Sequence, residues 1–170
     1  MQVNVVNPQR GQVQINGAQL VYPRFSGQDP RFGQVQPNFT IVIDDEEAEA
    51  ALIAAGYSIQ GIDKVRPDGS PSWHTLKIKF KYSEKSHPDI YMESNGNVRE
   101  VHPDHVGDLD RLRISMIDLD IHAFDSTDAM GQTHRSAYLD GAKVYIQTNR
   151  FAEPTGMSDS GASYDEQLPF

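Results

Sequence analysis

Two groups of side chains in this sequence could do chemistry. The first is acidic and imidazole-rich: His102, Asp104, His105, Asp108 and Asp110 fall close together, and Asp118, Asp120 and His122 follow at every second position. Carboxylates and imidazoles at such spacing could hold a divalent ion. No HExxH, EF-hand or P-loop pattern accompanies them, and no Gly-x-Ser-x-Gly marks a serine nucleophile. Asp-x-Asp-x-His is also what a solvated strand face looks like. The second group is basic. Lys77, Lys79 and Lys81 alternate with Leu76, Ile78, Phe80 and Tyr82. On a strand this puts three ammonium groups on one face, about 7 Å apart. That approximates the phosphate repeat of an extended single strand. Trp73 opens the segment, and an indole face is a platform for a base. An edge strand carrying lysines for solubility would have the same pattern.

Other segments repeat the pairing of cations with rings. Tyr22 ends an early strand that Arg24 and Phe25 follow, Lys64 and Arg66 precede a turn, Arg111 and Arg113 share a face, and so do Lys143 and Tyr145. Charge that tracks a backbone, interleaved with rings that stack on bases, is what a sequence-tolerant single-strand groove requires. The expected chemistry is therefore binding, with no catalytic residue, metal or cofactor.

A third feature closes the chain. From Glu153 onward there are four acids and no Lys or Arg, in a Gly/Ser-rich stretch ending Asp165-Glu166-Gln167-Leu168-Pro169-Phe170. Such a composition cannot bury enough apolar surface to fold alone. An exposed Leu-Pro-Phe tip beside carboxylates suits docking: the ring of Phe170 enters a pocket, while Asp159, Asp165, Glu166 and the α-carboxylate meet basic groups around it. Leu168 and Pro169 shape the approach.

These groups need elements to position them. At 170 residues with 38% hydrophobic content the chain suits one domain and an appendage. The boundary is expected near residue 150, giving a binding domain over 1–150 and a flexible acidic tail over 151–170. Cysteine is absent, so thiolate chemistry and Cys-ligated zinc are excluded. No signal-peptide pattern opens the chain and no apolar run reaches the length of a membrane span, so a cytoplasmic protein is expected. Net charge is −9, which opposes duplex binding. Much of that acidity is segregated into the tail and the acids at 44–49, which leaves room for a local basic groove.

Strands are expected over Gly11–Tyr22 with a bend at Gly17, Asn38–Ile43, Tyr57–Val65, His74–Tyr82, Asp89–Ser94, Asn97–Val101, Arg111–Phe124 and Ala137–Gln147. Asn95-Gly96 joins two of them as a hairpin. A phase change near Met116-Ile117 predicts a bulge in the Arg111–Phe124 strand. Pro23–Pro37 reads as a long loop. Asp44–Ala55 is the one helix, capped by Asp44 or Asp45, acidic in its first turn and stopped by Gly56. Many short strands and one helix predict a mainly β protein, an OB-type five-stranded barrel with an extra hairpin.

The acidic tip resembles that of single-stranded-DNA-binding proteins, with Leu168 in place of the usual isoleucine and Gln167 interrupting the acidic run. In the first half, Phe25-Ser26-Gly27, the β run Phe39 to Asp44, the acidic Ala-rich helix and Gly56-Tyr57-Ser58-Ile59 resemble phage-encoded members of that class. The resemblance implies an OB barrel that coats single-stranded DNA during phage replication or recombination, in an infected bacterial host. It also implies recruitment of replication or recombination proteins through the tail. Single-stranded RNA and self-association lie within the reach of the same chemistry. The competing readings are a phage structural protein, an inhibitor that imitates DNA, and a metal-dependent enzyme using the His/Asp cluster.

Overall fold

The computed structural model describes residues 1–83 and 85–147. The predicted domain boundary at 150 and the tail residues Asp159, Asp165, Glu166, Leu168, Pro169 and Phe170 lie outside them.

Strand β1 (Gln2–Asn7) pairs antiparallel with β2 (Gln12–Arg24), and β2 pairs with β5 (Asn38–Val42). Between β2 and β5 the chain makes a two-rung hairpin, β3 (Gln28–Asp29) and β4 (Gly33–Gln34). Helix α1 (Glu46–Ala54) follows, then β6 (Thr75–Lys79), the hairpin β7 (Asp89–Ser94) and β8 (Asn97–Glu100), and a 3-10 helix, Pro103–Arg111. Two long strands, β9 (Ile114–Thr127) and β10 (Thr133–Ile146), complete the chain.

The sheet closes on itself. β2 pairs β5, β5 pairs β6, β6 lies parallel to β10, β10 is antiparallel to β9, and β9 returns to β2. Taken in chain order, β2, β5, β6, β9 and β10 form a ring 1-2-3-5-4-1, which is the OB-type barrel expected from the sequence. β1 widens the sheet beside β2, and the β7–β8 hairpin extends it beside β10.

Alternation decides which residues fill the barrel. Val13, Ile15, Ala18 and Leu20 of β2, Phe39 and Ile41 of β5, Leu76 and Ile78 of β6, Ile117, Leu119 and Ile121 of β9, and Ala137, Leu139 and Val144 of β10 point inward and are buried. α1 adds Ala48 and Leu52 to this core, and the 3-10 helix adds Val106 and Leu109. Asp45 caps α1 by accepting from the backbone N–H of Glu47 at 2.8 Å and of Ala48 at 3.4 Å. Arg135 reaches the other end of α1, donating to the Ala55 carbonyl at 2.8 Å while its Nε and Nη2 clasp Asp125 at 2.8 and 3.0 Å. A cation at a helix C-terminus is favourable.

Several local expectations are met and three are corrected. Register slips between Ile15 and Ala18, opposite Leu119 and Ile117, so the bend at Gly17 is a bulge, with φ of 71°. The predicted bulge of the Arg111–Phe124 strand falls at Ser115, where Met116 and Ile114 pair with successive residues Tyr145 and Ile146. The first correction is Tyr57–Val65, which is not a strand. Gly56 and Gly61 both have positive φ, and the chain makes only single bridges, Gln60 to Thr75 and Val65 to Pro71. Tyr57 and Ile59 are still buried, so the apolar alternation was real but marks a loop pressed onto the core. Second, the strand expected from Arg111 begins later: the His/Asp-rich segment before β9 is the 3-10 helix, and Arg111 closes it rather than opening a strand. Third, Pro23–Pro37 is not all loop, since it contains β3 and β4.

Candidate nucleic-acid interface

The outward faces of β2, β5 and β6 form a shallow wall. Val21 faces Thr40, and Thr40 faces Lys77; one rung away, Val42 faces Thr75. Lys77 is exposed and Lys79 half-buried on the same side of β6. Lys81 lies just beyond the end of β6 and is exposed. None of the three lysines is ion-paired among the described residues.

A loop frames the start of β6. From Gln60 to Trp73 the chain doubles back, held by Ser72 N–H to the Lys64 carbonyl at 3.0 Å and Arg66 N–H to the Ser70 carbonyl at 2.8 Å. The predicted Pro-Asp-Gly turn lies at its tip, where the Asp68 carboxylate accepts from Ser70 N–H at 2.9 Å and Ser70 Oγ at 2.6 Å. Those two bonds, side chain first, hold the Asp68 carboxyl below the usual range. The turn brings the Arg66 guanidinium 4.8 Å from the centre of the Trp73 ring. Trp73 is 46% exposed, so with one cation over its ring there is still surface for a further partner. Gly61 allows this arrangement: a Cβ there would lie 2.1 Å from the Trp73 carbonyl oxygen.

Tyr22 closes the opposite side. It is 61% exposed and has φ of 50°, rare for a non-glycine residue. Register between β2 and β5 slips over Val21 to Arg24, which swings Tyr22 outward. Tyr22, Gln60, Lys64, Arg66, Trp73 and Thr75 line a cleft of about 450 Å³. A strained aromatic facing a cation-covered indole across a cleft is a constellation that clusters at binding sites.

The wall continues past Lys79 onto β10 and β9. Tyr138 pairs in register with Lys79, and its ring lies 5.8 Å from Phe124 and 6.0 Å from His122. Phe124 is 56% exposed. Sequence reasoning missed Tyr138 and Phe124, although strand parity marks them: Tyr138 lies between buried Ala137 and Leu139, and Phe124 shares the outward parity of β9, whose buried residues are Ile117, Leu119 and Ile121. It also missed Phe32, 76% exposed in the β3–β4 hairpin.

The other predicted residues are sorted by the fold. Phe25 is corrected: its ring is buried, stacked on Phe39 with centres 5.2 Å apart, and is closed to bases. Arg24 is bound to Asp29 at 3.0 Å and braces the hairpin. Arg111 is engaged by Asp108. Arg113 is exposed beside the end of β10, where its carbonyl accepts from Gln147 N–H at 2.8 Å. Lys143 lies 5.0 Å over the Tyr145 ring, and the Tyr145 hydroxyl donates to Asp118 at 2.7 Å. Tyr145, then Asp118 and Glu93, hold the Lys143 ammonium above its usual range. These four basic residues do not line the Tyr22–Trp73 cleft.

The His/Asp-rich segments have other duties. Asp110 accepts from the backbone N–H of Phe25 at 2.6 Å and of Ser26 at 3.1 Å, and so fastens the end of β2 to the 3-10 helix. Asp118 accepts from Gly17 N–H at 2.8 Å, and His122 is joined to Asp140 at 2.7 Å. No group of three or more metal-ligating side chains converges among the described residues.

Comparison with known proteins agrees with this geometry. No curated protein sequence matches the chain. Among solved structures, the C-terminally truncated single-stranded DNA-binding protein from bacteriophage Enc34 superposes with a TM-score of 0.54 at 13% identity, over 82% of this chain and 87% of that one. The same phage protein in complex with ssDNA gives 0.51 at 12% identity, over 84% and 90%. At such identity the likeness shows the fold. A family model described as "Putative phage ssDNA-binding domain" matches residues 2–154. The chain belongs to the phage ssDNA-binding domain family.

Proposed function

We propose that this protein coats single-stranded DNA with little sequence preference and performs no chemistry on it. Lys64, Arg66, Lys77, Lys79 and Lys81 track phosphates, while Tyr22, Trp73, Tyr138 and Phe124 offer ring faces to bases. The observation that carries this reading is the Arg66-covered Trp73 ring at the head of a strand whose outward side is lysine. That wall is the second- and third-strand face with which OB barrels bind oligonucleotides. The related fold from phage Enc34, solved with ssDNA, supports the same use.

The working setting is replication or recombination in the cytoplasm of a phage-infected bacterium. There the tail recruits protein partners, with Phe170 as anchor and Asp165 and Glu166 in support. No helix among the described residues is long and apolar enough to cross a membrane. The test is fluorescence anisotropy with oligo-dT, its RNA counterpart and a duplex, at low and high salt. Tightest, salt-sensitive binding of oligo-dT supports the reading. A preference for RNA would redirect it, and binding to none would return the protein to the structural or inhibitory classes. A pull-down from infected-cell extract with Phe170→Ala tests the tail: an unchanged partner set would leave it without a docking role.

A further inference from the structure

Lys81 lies in the lining of a second cleft, with different chemistry. Strand β10 pairs with β6 at Ala137 and Tyr138, then with β7 from Gly141 onward. Where it changes partner, β10 carries an extra residue: Leu139 pairs with Ile121 and Gly141 with Asp120, which leaves Asp140 as a bulge. Bulges re-aim side chains and recur beside functional sites. The gap is a cleft of about 570 Å³ whose lining includes Lys81, Tyr82, His87, His122, Tyr138 and Asp140.

Two features of the lining favour a planar, hydrogen-bonding occupant. The first is aromatic: the Tyr82 and His87 rings stack at 5.7 Å, and Tyr138 sits against His122. Tyr82 also keeps a buried hydroxyl without a hydrogen-bond partner among the described residues. The second is the sign of the charge. His122 Nδ1 holds Asp140 Oδ1 at 2.7 Å, and the carboxylate remains 47% exposed. A carboxylate repels a phosphate and accepts hydrogen bonds from amino groups. With Lys81 in the same lining and Lys79 paired beside Tyr138, a passing strand would place phosphates on the lysines and turn a base toward Asp140.

We propose that this cleft is a nucleobase seat favouring bases with an exocyclic amino group, such as cytosine, over thymine. The inference rests on the single-strand-binding reading above and adds a mild preference to it. Asp140 would accept from the cytosine N4 amino group, as acidic side chains do when they read cytosine edges. Thymine presents the O4 acceptor at that position, so the carboxylate would face a lone pair.

Short oligonucleotides of dC, dU and dT separate the contributions, since dU lacks both the amino group of cytosine and the methyl group of thymine. The native protein should bind oligo-dC about fivefold more tightly than oligo-dU, the low end of what a base-edge contact discriminates. Asp140→Asn and Asp140→Ser should bring that ratio close to one, chiefly by loss of the oligo-dC contact, while oligo-dU binding stays equal or tightens because a negative charge is removed. Thermal melting of each variant checks the fold, which an exposed residue should not disturb. A dC-to-dU ratio near or below one in the native protein, or a ratio unchanged in both folded variants, overturns the seat and leaves single-strand binding intact. Failure to bind any of the three strands refutes the single-strand reading itself.

Discussion

The most quantitative prediction concerns Lys77, Lys79 and Lys81. They occupy the outward side of β6 and the residues just past it, with no ion pair among the described residues. Cations free of internal partners release their full share of counterions from a bound strand. For single-stranded nucleic acid, log K falls with log salt by about 0.7 per phosphate neutralised. Replacing all three by Gln should therefore flatten the slope by about 2. Raising salt fourfold, from about 50 to 200 mM, should then cost the variant roughly 20-fold less affinity than it costs the native protein. The assay is anisotropy with oligo-dT at four or five salt concentrations. Lys143→Gln is the internal comparison. Its ammonium is held over Tyr145 near Asp118 and Glu93, so its loss should leave the slope unchanged. An unaltered slope in the triple variant would remove β6 from the interface. Equal flattening by Lys143→Gln would show that general charge, and not this strand, sets the salt dependence.

Further outcomes follow from individual side chains. Trp73 is the only tryptophan, so its fluorescence should quench on adding oligo-dT, and Trp73→Ala should cost about 1–3 kcal/mol of binding with little change in melting. Phe25→Ala should destabilise the fold by about 3–5 kcal/mol, while Phe25→Leu should keep both fold and DNA affinity. Gly61→Ala forces a side chain at φ of 92° against the Trp73 carbonyl, and should lower both melting temperature and affinity. The Arg135 hydrogen bond holds the Asp125 carboxyl below its usual range. Its stabilisation is present above the unfolded value and lost as pH falls through the depressed folded one. The melting difference between native protein and Asp125→Asn should thus be constant near neutrality and shrink below about pH 4.

The barrel was legible because its strands alternate cleanly. Leu76 to Lys79 and Ile117 to Ile121 each show which residue faces in, and Gly17 and Asn95-Gly96 mark where pairing bends or turns back. What escaped the sequence depends on partners far along the chain. Tyr57 to Val65 alternates like a strand, yet the positive φ at Gly56 and Gly61 breaks the ladder, and the apolar residues serve a loop. Phe25 sits beside Arg24 in a pattern that suggests a base platform. Only the position of Phe39 and Phe80 shows that its ring completes the core. Arg66 and Trp73 could each be named from sequence, but their stacking could not, because it is created by the turn between them. The Asp140 bulge was missed, although the apolar positions change parity across it, from Ala137 and Leu139 to Ala142 and Val144.

Charge sorting explains how a chain of net charge −9 can present a groove for a polyanion. Strand parity and strand position divide the surface by sign. β6 supplies lysines at outward positions, and the Gln60–Trp73 loop adds Lys64 and Arg66. Farther around the barrel Asp89, Asp118, Asp120 and Asp140 lie around one depression, where four acids outnumber the one cation, Lys143. Burial, and then repulsion from Asp140, push the Asp120 carboxyl above its usual range, as expected where carboxylates crowd. A strand lying on the barrel is therefore confined from one side. On the proposed reading it would gain counterion release along β6 and be repelled where the acids begin. The Asp140 cleft lies on that border, and the proposed seat would admit a base where a phosphate is repelled. On this account the acidic patch sets where the strand must stop, and neutralising Asp118 and Asp120 together should lengthen the footprint on DNA beyond that of the native protein. A footprint of unchanged length would show that the basic wall alone defines the path.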